Sequence, residues 1–544
     1  MKKIIYFIVG ISLLTSCNDL LDELPDNQVP VNSPERIKRV LVNAYPKASA
    51  MMIGEYSSDN IADNGTIVTD FNYLTDEVTY WKTINEYGNY EGLEYIWAYS
   101  YDAIAHANEA LRAITELGDT PSLRPAKGEA LLARAYAHFE LVNTFCKAYN
   151  PDTSASDLGI PYATTSETRL NPKYGRGTVA QVYQQIAADI EAGLPLIDDS
   201  YYQMTKYHFN KKAANAFAAR FYLYYQNWDK AIEYANNVLS TNDVTTKSLL
   251  RKWEDFRDVN KAGSTSQGSR ALYYAREDIE ANLLLLPILS QLPTAYYTQG
   301  VARRYTHNTF LADRETIEAK NVWDPRGMSG KNNYGYEFYW FTPIKVDNGR
   351  NSTVFFDKFP PFSTGNHYRT VIVPFTTDET LMVRAEAKIH KGEYEAALKD
   401  LNLWTSKFIQ KKTILGYSSK NDASDITLAA VEAFYNNMPE SQNTAEGLTQ
   451  KKRLDLSSFR NSRASGNITL LHYLLQCRRI LTLGEGLRWQ DVKRYGIEVP
   501  RFQTDNVDRH SNVLKATLPA NDERRAIQLP ASSIKAGIQP NPRN

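Results

Sequence analysis

Two stretches of the chain, AARFYLYYQNWDKAIEYANNVL and RAEAKIHKGEYEAALKDLNLW, align at an offset of 166 residues, placing Ala219 on Ala385, Trp228 on Tyr394 and Ala231 on Ala397. Each reads as a helix, a short polar turn carrying one aromatic ring, and a second helix opening on a small residue. Small residues let two antiparallel helices approach closely, while the ring packs at the turn. Units of this kind build a helical scaffold by lying against one another.

Other segments carry the same helical period. In IWAYSYDAIAHANEALRAI, between Tyr95 and Leu117, Trp97, Ile104, Ala107, Leu111 and Ile114 lie close to one stripe, and Gly118-Asp119-Thr120-Pro121 ends the helix. A second helix is expected in RPAKGEALLARAYAHFELVNTF, where Leu132, Tyr136, Phe139 and Val142 recur. A third follows in GTVAQVYQQIAADIEAGLPLI, with Thr178 as N-cap. The paired unit resembles the tetratricopeptide repeat. Its copies are scattered between insertions, which favours helix pairs around a superhelical scaffold over a long regular solenoid. The expected fold is therefore mostly α, with long loop-rich insertions and a few short strands. Residues 31–240 form an N-terminal helical region, 241–375 a loop-rich region containing strand-like runs such as YRTVIV, and 376–544 a C-terminal region with a further helix pair.

Composition narrows the function. The chain has 544 residues, 43% hydrophobic and 23% charged, with Lys+Arg and Asp+Glu equal at 62 each. That balance leaves no basic excess for a broad nucleic-acid face. The 36 tyrosines and 8 tryptophans suit surfaces that are half apolar and half wet. Three cysteines, Cys17, Cys146 and Cys477, make no disulfide framework; the last two fall in apolar helical patterns and read as buried hydrophobes, with a single bridge between them left open. The run Lys451-Lys452-Arg453 reads as a solvated face, with a basic recognition patch as the alternative.

The N-terminus carries an address. Lys2 and Lys3 precede an apolar run from Ile4 to Leu14, shorter than the roughly 20 residues that a membrane-spanning helix needs. It has the proportions of a signal peptide. Leu14-Thr15-Ser16-Cys17 resembles a bacterial lipobox, in which the cysteine thiol is lipidated and the chain is cut just before it. Residues 1–16 are then the lipoprotein signal peptide and 17–30 an acidic, lipid-anchored tether. No other segment is long and apolar enough to span.

The most specific stretch lies near the other end, in LLHYLLQCRRILTLGEGLRWQDVKRYG. Arg488 stands three residues from both Glu485 and Asp491, and Asp491 three from Arg494, so these charges are expected to pair on one helical face, with Trp489 and Val492 directed inward. Glu485-Gly486-Leu487-Arg488-Trp489, followed by Asp491, Arg494 and Gly496, closely resembles the signature of the SusD/RagB family of Bacteroidetes outer-membrane lipoproteins. The run ARAYAHFELVNTF, the step Gly159-Ile160-Pro161, the helix from Arg176 to Tyr183 and the tail AIQLPASSIKAGIQPNPRN are similar to further family patterns. Cys477, where a glutamate is usual, and Ser533, where an acidic residue is usual, depart from it. The resemblance runs from Cys17 to the C-terminus. It implies a SusD-like α-helical protein with four tetratricopeptide-like pairs, sitting as a lid on a SusC-like TonB-dependent outer-membrane transporter. It also implies that the acidic residues Asp19, Asp22 and Glu23 act as an export signal to the cell surface.

No reactive constellation competes with that reading. The chain has no His-Glu-x-x-His, no Gly-x-Ser-x-Gly and no Walker loop, so catalysis, a cofactor and a metal site are not expected. Glycan capture needs flat rings, on which the C–H face of a sugar packs, beside groups that bond its hydroxyls. Two segments offer both. The first, YLTDEVTYWKTINEYGNY, holds Tyr80, Trp81, Asn85, Glu86, Tyr87 and Tyr90; the second, in the loop-rich middle, holds Tyr296, Tyr297 and Trp323, the last followed by Asp324-Pro325-Arg326. The expected function is non-enzymatic capture of an extracellular oligosaccharide for delivery to the transporter. Capture of a peptide, and a transporter lid or scaffold with little ligand affinity of its own, are the alternatives.

Overall fold

In the computed structural model, the described residues are 31–69, 72–85, 88, 90–165, 174–259, 269–297, 303–323, 335–338, 357–364, 367–412, 425–508 and 511–543. Cys17 and its acidic followers, Glu86, Tyr87 and Asp324-Pro325-Arg326 lie outside them.

The two aligned stretches fold as expected, into helical hairpins Lys211–Tyr224/Trp228–Leu239 and Thr377–Lys391/Tyr394–Phe408. Their turns are built alike. Gln226 and Gly392, at corresponding positions, take the left-handed backbone, with φ of +61° and +82°. In the first turn Asn227 N–H donates to Tyr222 O at 2.9 Å, and in the second Glu393 N–H donates to Lys388 O at 2.9 Å. This closes each first helix on its last free carbonyls. The first helix of the second hairpin packs along the second helix of the first hairpin. At that joint the Trp228 ring stacks on His390, centroids 4.1 Å apart and nearly parallel.

Helices Leu93–Glu116, Arg124–Phe145 and Val179–Gly193 pack in succession. The middle one is buried on nearly every side, which its alanine-rich sequence permits without crowding. Thr178 caps the third helix in a reciprocal box with Gln181. Further along, Ile468–Leu481 lies against both Thr377–Lys391 and Leu428–Asn436.

Among the described residues, three small sheets decorate this scaffold. The first has the order β3 (Tyr305–Thr306), β1 (Ala62–Asp63), β8 (Val499–Thr504), β9 (Asn512–Leu518). The second pairs β2 (Asn282–Leu289) and β5 (Phe362–Thr364) on either side of β6 (His367–Thr376), all antiparallel; the third joins β4 (Gly335–Phe338) to β7 (Ile409–Lys412). Strand β6 contains the YRTVIV run. Its partner β2, NLLLLPIL, is buried on both faces over most of its length and so shows no polar alternation. One hydrophobic cluster, from Tyr45 to Leu529, runs through the helical scaffold and the second sheet.

The C-terminal signature proves to be a dock for the N-terminal segment. Gly486, at φ +73°, lies so close to the 51–57 helix that a Cβ there would stand 2.4 Å from the Met51 carbonyl oxygen, and one on Gly54 would stand 2.6 Å from Gly486 O. The buried Glu55 carboxylate accepts the N–H groups of Gly484 and Gly486, at 3.0 and 3.1 Å. The expected local charge ladder is corrected by these contacts. Arg488 pairs with Asp59 in the N-terminal segment, at 2.8 and 2.9 Å, and Glu485 with Lys358 at 2.6 Å. Asp491 is gripped by Arg478, at 2.5 and 3.1 Å, while its local pair with Arg494 is stretched to 3.8 Å. Helical neighbours lost to distant partners because the whole segment is buried, where a carboxylate needs hydrogen bonds from several directions. Trp489 and Val492 point inward as expected, 2% and 0% exposed.

Cys146 and Cys477 are free thiols in the interior. Of the basic run, Lys452 is buried on Glu315 and Lys451 caps the carbonyls of Tyr435 and Met438, at 2.7 and 3.1 Å, leaving only Arg453 exposed. No helix among the described residues is long and apolar enough to cross a membrane.

Candidate functional site

The two aromatic segments, some 200 residues apart in sequence, meet in the fold. Helix Tyr73–Thr79, capped by Asn72, delivers the chain to Tyr80. The half-buried Tyr80 donates its hydroxyl to Asp63 Oδ2 at 2.8 Å and meets Tyr305 edge-on, with ring centroids 6.2 Å apart. Arg304, from the second segment, reaches the same fully buried Asp63 at 3.1 and 3.2 Å. Burial alone would lower the Arg304 guanidinium, but its bonds to Asp63 outweigh that and raise it. Arg303 donates to Thr294 O at 2.7 Å, and its own carbonyl accepts from Asn64 Nδ2 at 2.8 Å. Burial and Asp63 together push the Tyr80 phenol up, so it serves as a neutral donor throughout the physiological range.

Around this joint lie groups able to bond hydroxyls. Asn85 is exposed and is steadied by Glu77, which accepts its N–H at 2.9 Å and its amide at 2.6 Å. Asp76 accepts from Lys82 at 2.6 Å and from the Tyr305 hydroxyl. Burial would raise its carboxyl, and these two donors reverse the effect and lower it.

Beyond Asn85 the chain turns into helix Leu93–Glu116 and presents three half-buried tyrosines in a row. Tyr90 meets Tyr95 edge-on at 5.5 Å, and Tyr95 leans on Tyr99, one helical turn on, at 5.8 Å. Tyr90 belongs to the first predicted segment. Tyr95 and Tyr99 were read only as part of a helix, although their spacing of four residues places them on one face.

Two sequence candidates move into the interior. Trp81, 6% exposed, donates its indole N–H to Ser57 O at 2.9 Å, and the Arg501 guanidinium lies over its ring at 4.9 Å. Arg501 in turn donates to the carbonyls of Tyr56, Ser58, Ile61 and Thr79. Trp81 adopts the left-handed backbone, φ +51°, where it makes this contact, and its ring is held in the interior. Trp323, 4% exposed, packs against Tyr473 at 6.0 Å in the core. A large apolar ring in a loop-rich sequence is drawn inward by the area it buries, and nothing in the sequence marks these two as different from Tyr80. Tyr296 lies in helix Leu292–Tyr297, and its side chain, like the whole of Tyr87, falls outside the described residues.

Two hollows lie elsewhere. A cavity of about 60 Å³ is lined by Phe139, Glu140, Arg220 and Trp489, among others, and a polar groove of about 600 Å³ by Asn443, Arg453, Asp455 and Glu498 among others. Neither holds any of the aromatic candidates. Among the described residues no group of three or more His, Cys, Asp or Glu is placed to hold a metal ion.

The arrangement of helical hairpins and small sheets is similar to that of SusD superfamily structures. A SusD superfamily protein from Bacteroides thetaiotaomicron matches 94% of this chain and 99% of its own, with a TM-score of 0.58 at 18% identity. A putative sugar binding protein from Bacteroides vulgatus matches 95% and 99%, with a TM-score of 0.62 at 16% identity. In sequence, residues 19–223 match the family model SusD-like_3, described as starch-binding and associating with the outer membrane. The SusD-like protein P38 of Formosa agariphila is 21% identical over 524 residues, 90% of each chain. The chain thus shares its fold with SusD superfamily structures, and its residues 19–223 are similar to the SusD-like family model.

Proposed function

We propose that the protein is an outer-membrane lipoprotein of the cell surface, anchored through Cys17, that captures an extracellular oligosaccharide and delivers it to a SusC-like TonB-dependent transporter. The observation that carries the reading is the meeting of the two tyrosine-rich segments on one surface. Tyr80 meets Tyr305 beside the Asp76–Lys82 pair, and the half-buried row Tyr90, Tyr95 and Tyr99 follows in the same segment, tied to the second segment through Glu91 and Ser290. Phenol rings held by their neighbours offer apolar faces to sugar rings at little entropic cost, and the amide and charged groups meet the hydroxyls. The sugar-binding description of a structural relative and the starch-binding description of the family model are consistent with this class of ligand. The surface needs no bond-making group to do this work, so capture is non-enzymatic.

Titration of the purified protein with neutral oligosaccharides, repeated with Tyr90→Ala and Tyr95→Ala, tests the reading. Binding that weakens in both variants supports it. Equal binding in wild type and variants would place the ligand elsewhere, and tight binding of peptides instead of glycans would replace the ligand class.

A further inference from the structure

Glu91 stands between the two walls of this surface. It is 1% exposed and lies one residue before Gly92, the N-cap of helix Leu93–Glu116. Its Oε1 accepts the hydroxyl of Ser290 at 2.6 Å, across 199 residues of sequence, and the backbone N–H of Gln291 at 2.7 Å. Ser290 Oγ in turn accepts the N–H of Leu292 at 3.0 Å. The carboxylate and the hydroxyl thus take two of the N–H groups that a helix start leaves without intrahelical partners, here at the start of Leu292–Tyr297. One side chain therefore completes the helix that carries Tyr296 and Tyr297 and fixes it to the turn that carries Tyr90.

We propose that Glu91 is a positioning residue of the oligosaccharide surface, holding helix Leu292–Tyr297 in register with the row Tyr90, Tyr95, Tyr99. The inference rests on the capture reading given above. Apolar packing would join the two segments as firmly, but it would leave one free to slide on the other. Two short hydrogen bonds to one carboxylate oxygen fix direction as well as distance. The choice is a costly one, since burial pushes the Glu91 acid up to about 7 despite the donors from Ser290, Gln291 and Leu292. Glutamine at this position keeps the acceptor and the reach, while alanine removes both.

The test compares full-length wild type, Glu91→Gln, Glu91→Ala and Ser290→Ala in two measurements. Hydrogen exchange without glycan is expected to rise tenfold or more over residues 288–297 in Glu91→Ala, and less in Ser290→Ala. It should stay within threefold of wild type in Glu91→Gln, with the hairpin Lys211–Leu239 unchanged in all. Calorimetric titration then uses maltoheptaose, cellohexaose, xylohexaose and mannohexaose. On whichever of these wild type binds, Glu91→Ala weakens affinity at least tenfold and Glu91→Gln restores it to within threefold. If Glu91→Ala does not fold, Ser290→Ala carries the same comparison, with a loss of about threefold. Wild-type binding with no loss in the alanine variants overturns the role of Glu91, as does unchanged exchange over 288–297. A wild type that binds none of the four overturns the capture reading and this role with it, whatever the exchange result, and is thereby told apart from a failure of Glu91 alone.

Discussion

Arg488 grips Asp59 through two parallel hydrogen bonds of 2.8 and 2.9 Å, across 429 residues of chain and with both side chains almost wholly buried. Asp59 also faces Arg479 at 3.4 Å. Removing the carboxylate in Asp59→Asn or Asp59→Ala leaves the buried Arg488 guanidinium without its ion-pair partner and leaves Arg479 paired with Glu315 alone, at 2.9 Å. The expected loss is about 3–5 kcal/mol, the usual consequence of breaking a buried pair from one side. Urea unfolding followed by circular dichroism measures it, and a loss under about 1 kcal/mol would contradict the structural role given to the pair.

A glycine contrast tests how tightly the signature docks. Gly486→Ala places a Cβ 2.4 Å from backbone that cannot step aside, in a left-handed conformation. Gly118→Ala, at φ +91°, has the same conformational handicap with no atom within 4 Å. The second should lower stability by about 1–2 kcal/mol. The first should lower it by clearly more and release the 51–57 helix, read as new proteolytic cleavage near Met51.

Acid should destabilise the protein in one steep fall that follows a nearly level range. The buried imidazoles His138 and His307 are pushed down to about 3, and His472 to about 4, chiefly by burial. Depressed imidazoles contribute stability that is lost as pH falls below the unfolded value near 6.5. Glu91 and Glu140, raised by burial to about 7, act oppositely, since the folded state holds their protons and gains stability as pH falls from 7 toward 4.5. These trends offset one another between about pH 4.5 and 6.5. Burial would raise Asp59 and Glu386, but Arg479 and Arg488 hold the first well below the carboxylate range, and Arg478 and Arg494 the second. Their contribution is present above the unfolded carboxylate value and is lost below it. Melting temperature should therefore be nearly level from about pH 5 to 7 and fall steeply below about pH 4. A steady decline beginning at pH 7 would show that the raised carboxyls do not offset the imidazoles.

Cys17→Ala should release the protein from membranes without changing its circular dichroism or melting temperature. Fractionation of cells and labelling with a palmitate analogue check this. Retention of the variant in the membrane fraction would remove the anchor from Cys17.

The helical hairpins could be read from sequence because both signals they need are local: a 3.6-residue apolar period and a left-handed turn, at Gln226 and Gly392. Strand β2 could not, because a run apolar on both faces carries no period to separate a buried strand from a buried helix. The charge ladder in the signature was legible in composition and not in partners, since Arg488 chose Asp59 only once folding had brought the N-terminal segment beside it. At the candidate site, both aromatic segments were legible by composition, and their meeting through Tyr80 and Tyr305 was not. Sequence failed to tell the buried ring, Trp81, from the half-buried ring, Tyr80, because Trp81 is held under Arg501, more than 400 residues away. Glu91 was invisible for the same reason: its meaning comes from Ser290.

The most direct test of the account is affinity for soluble oligosaccharides, measured by titration on wild type, Tyr90→Ala, Tyr95→Ala and the buried control Trp323→Phe. Losing one face of a stacked ring is worth about 0.5–1.5 kcal/mol. Each surface variant should therefore bind about 2- to 12-fold more weakly, and the double variant Tyr90→Ala with Tyr95→Ala weaker still, with Trp323→Phe unchanged. Unaltered affinity in the double variant, with wild type binding glycan, would contradict the claim that these tyrosines form the capture surface.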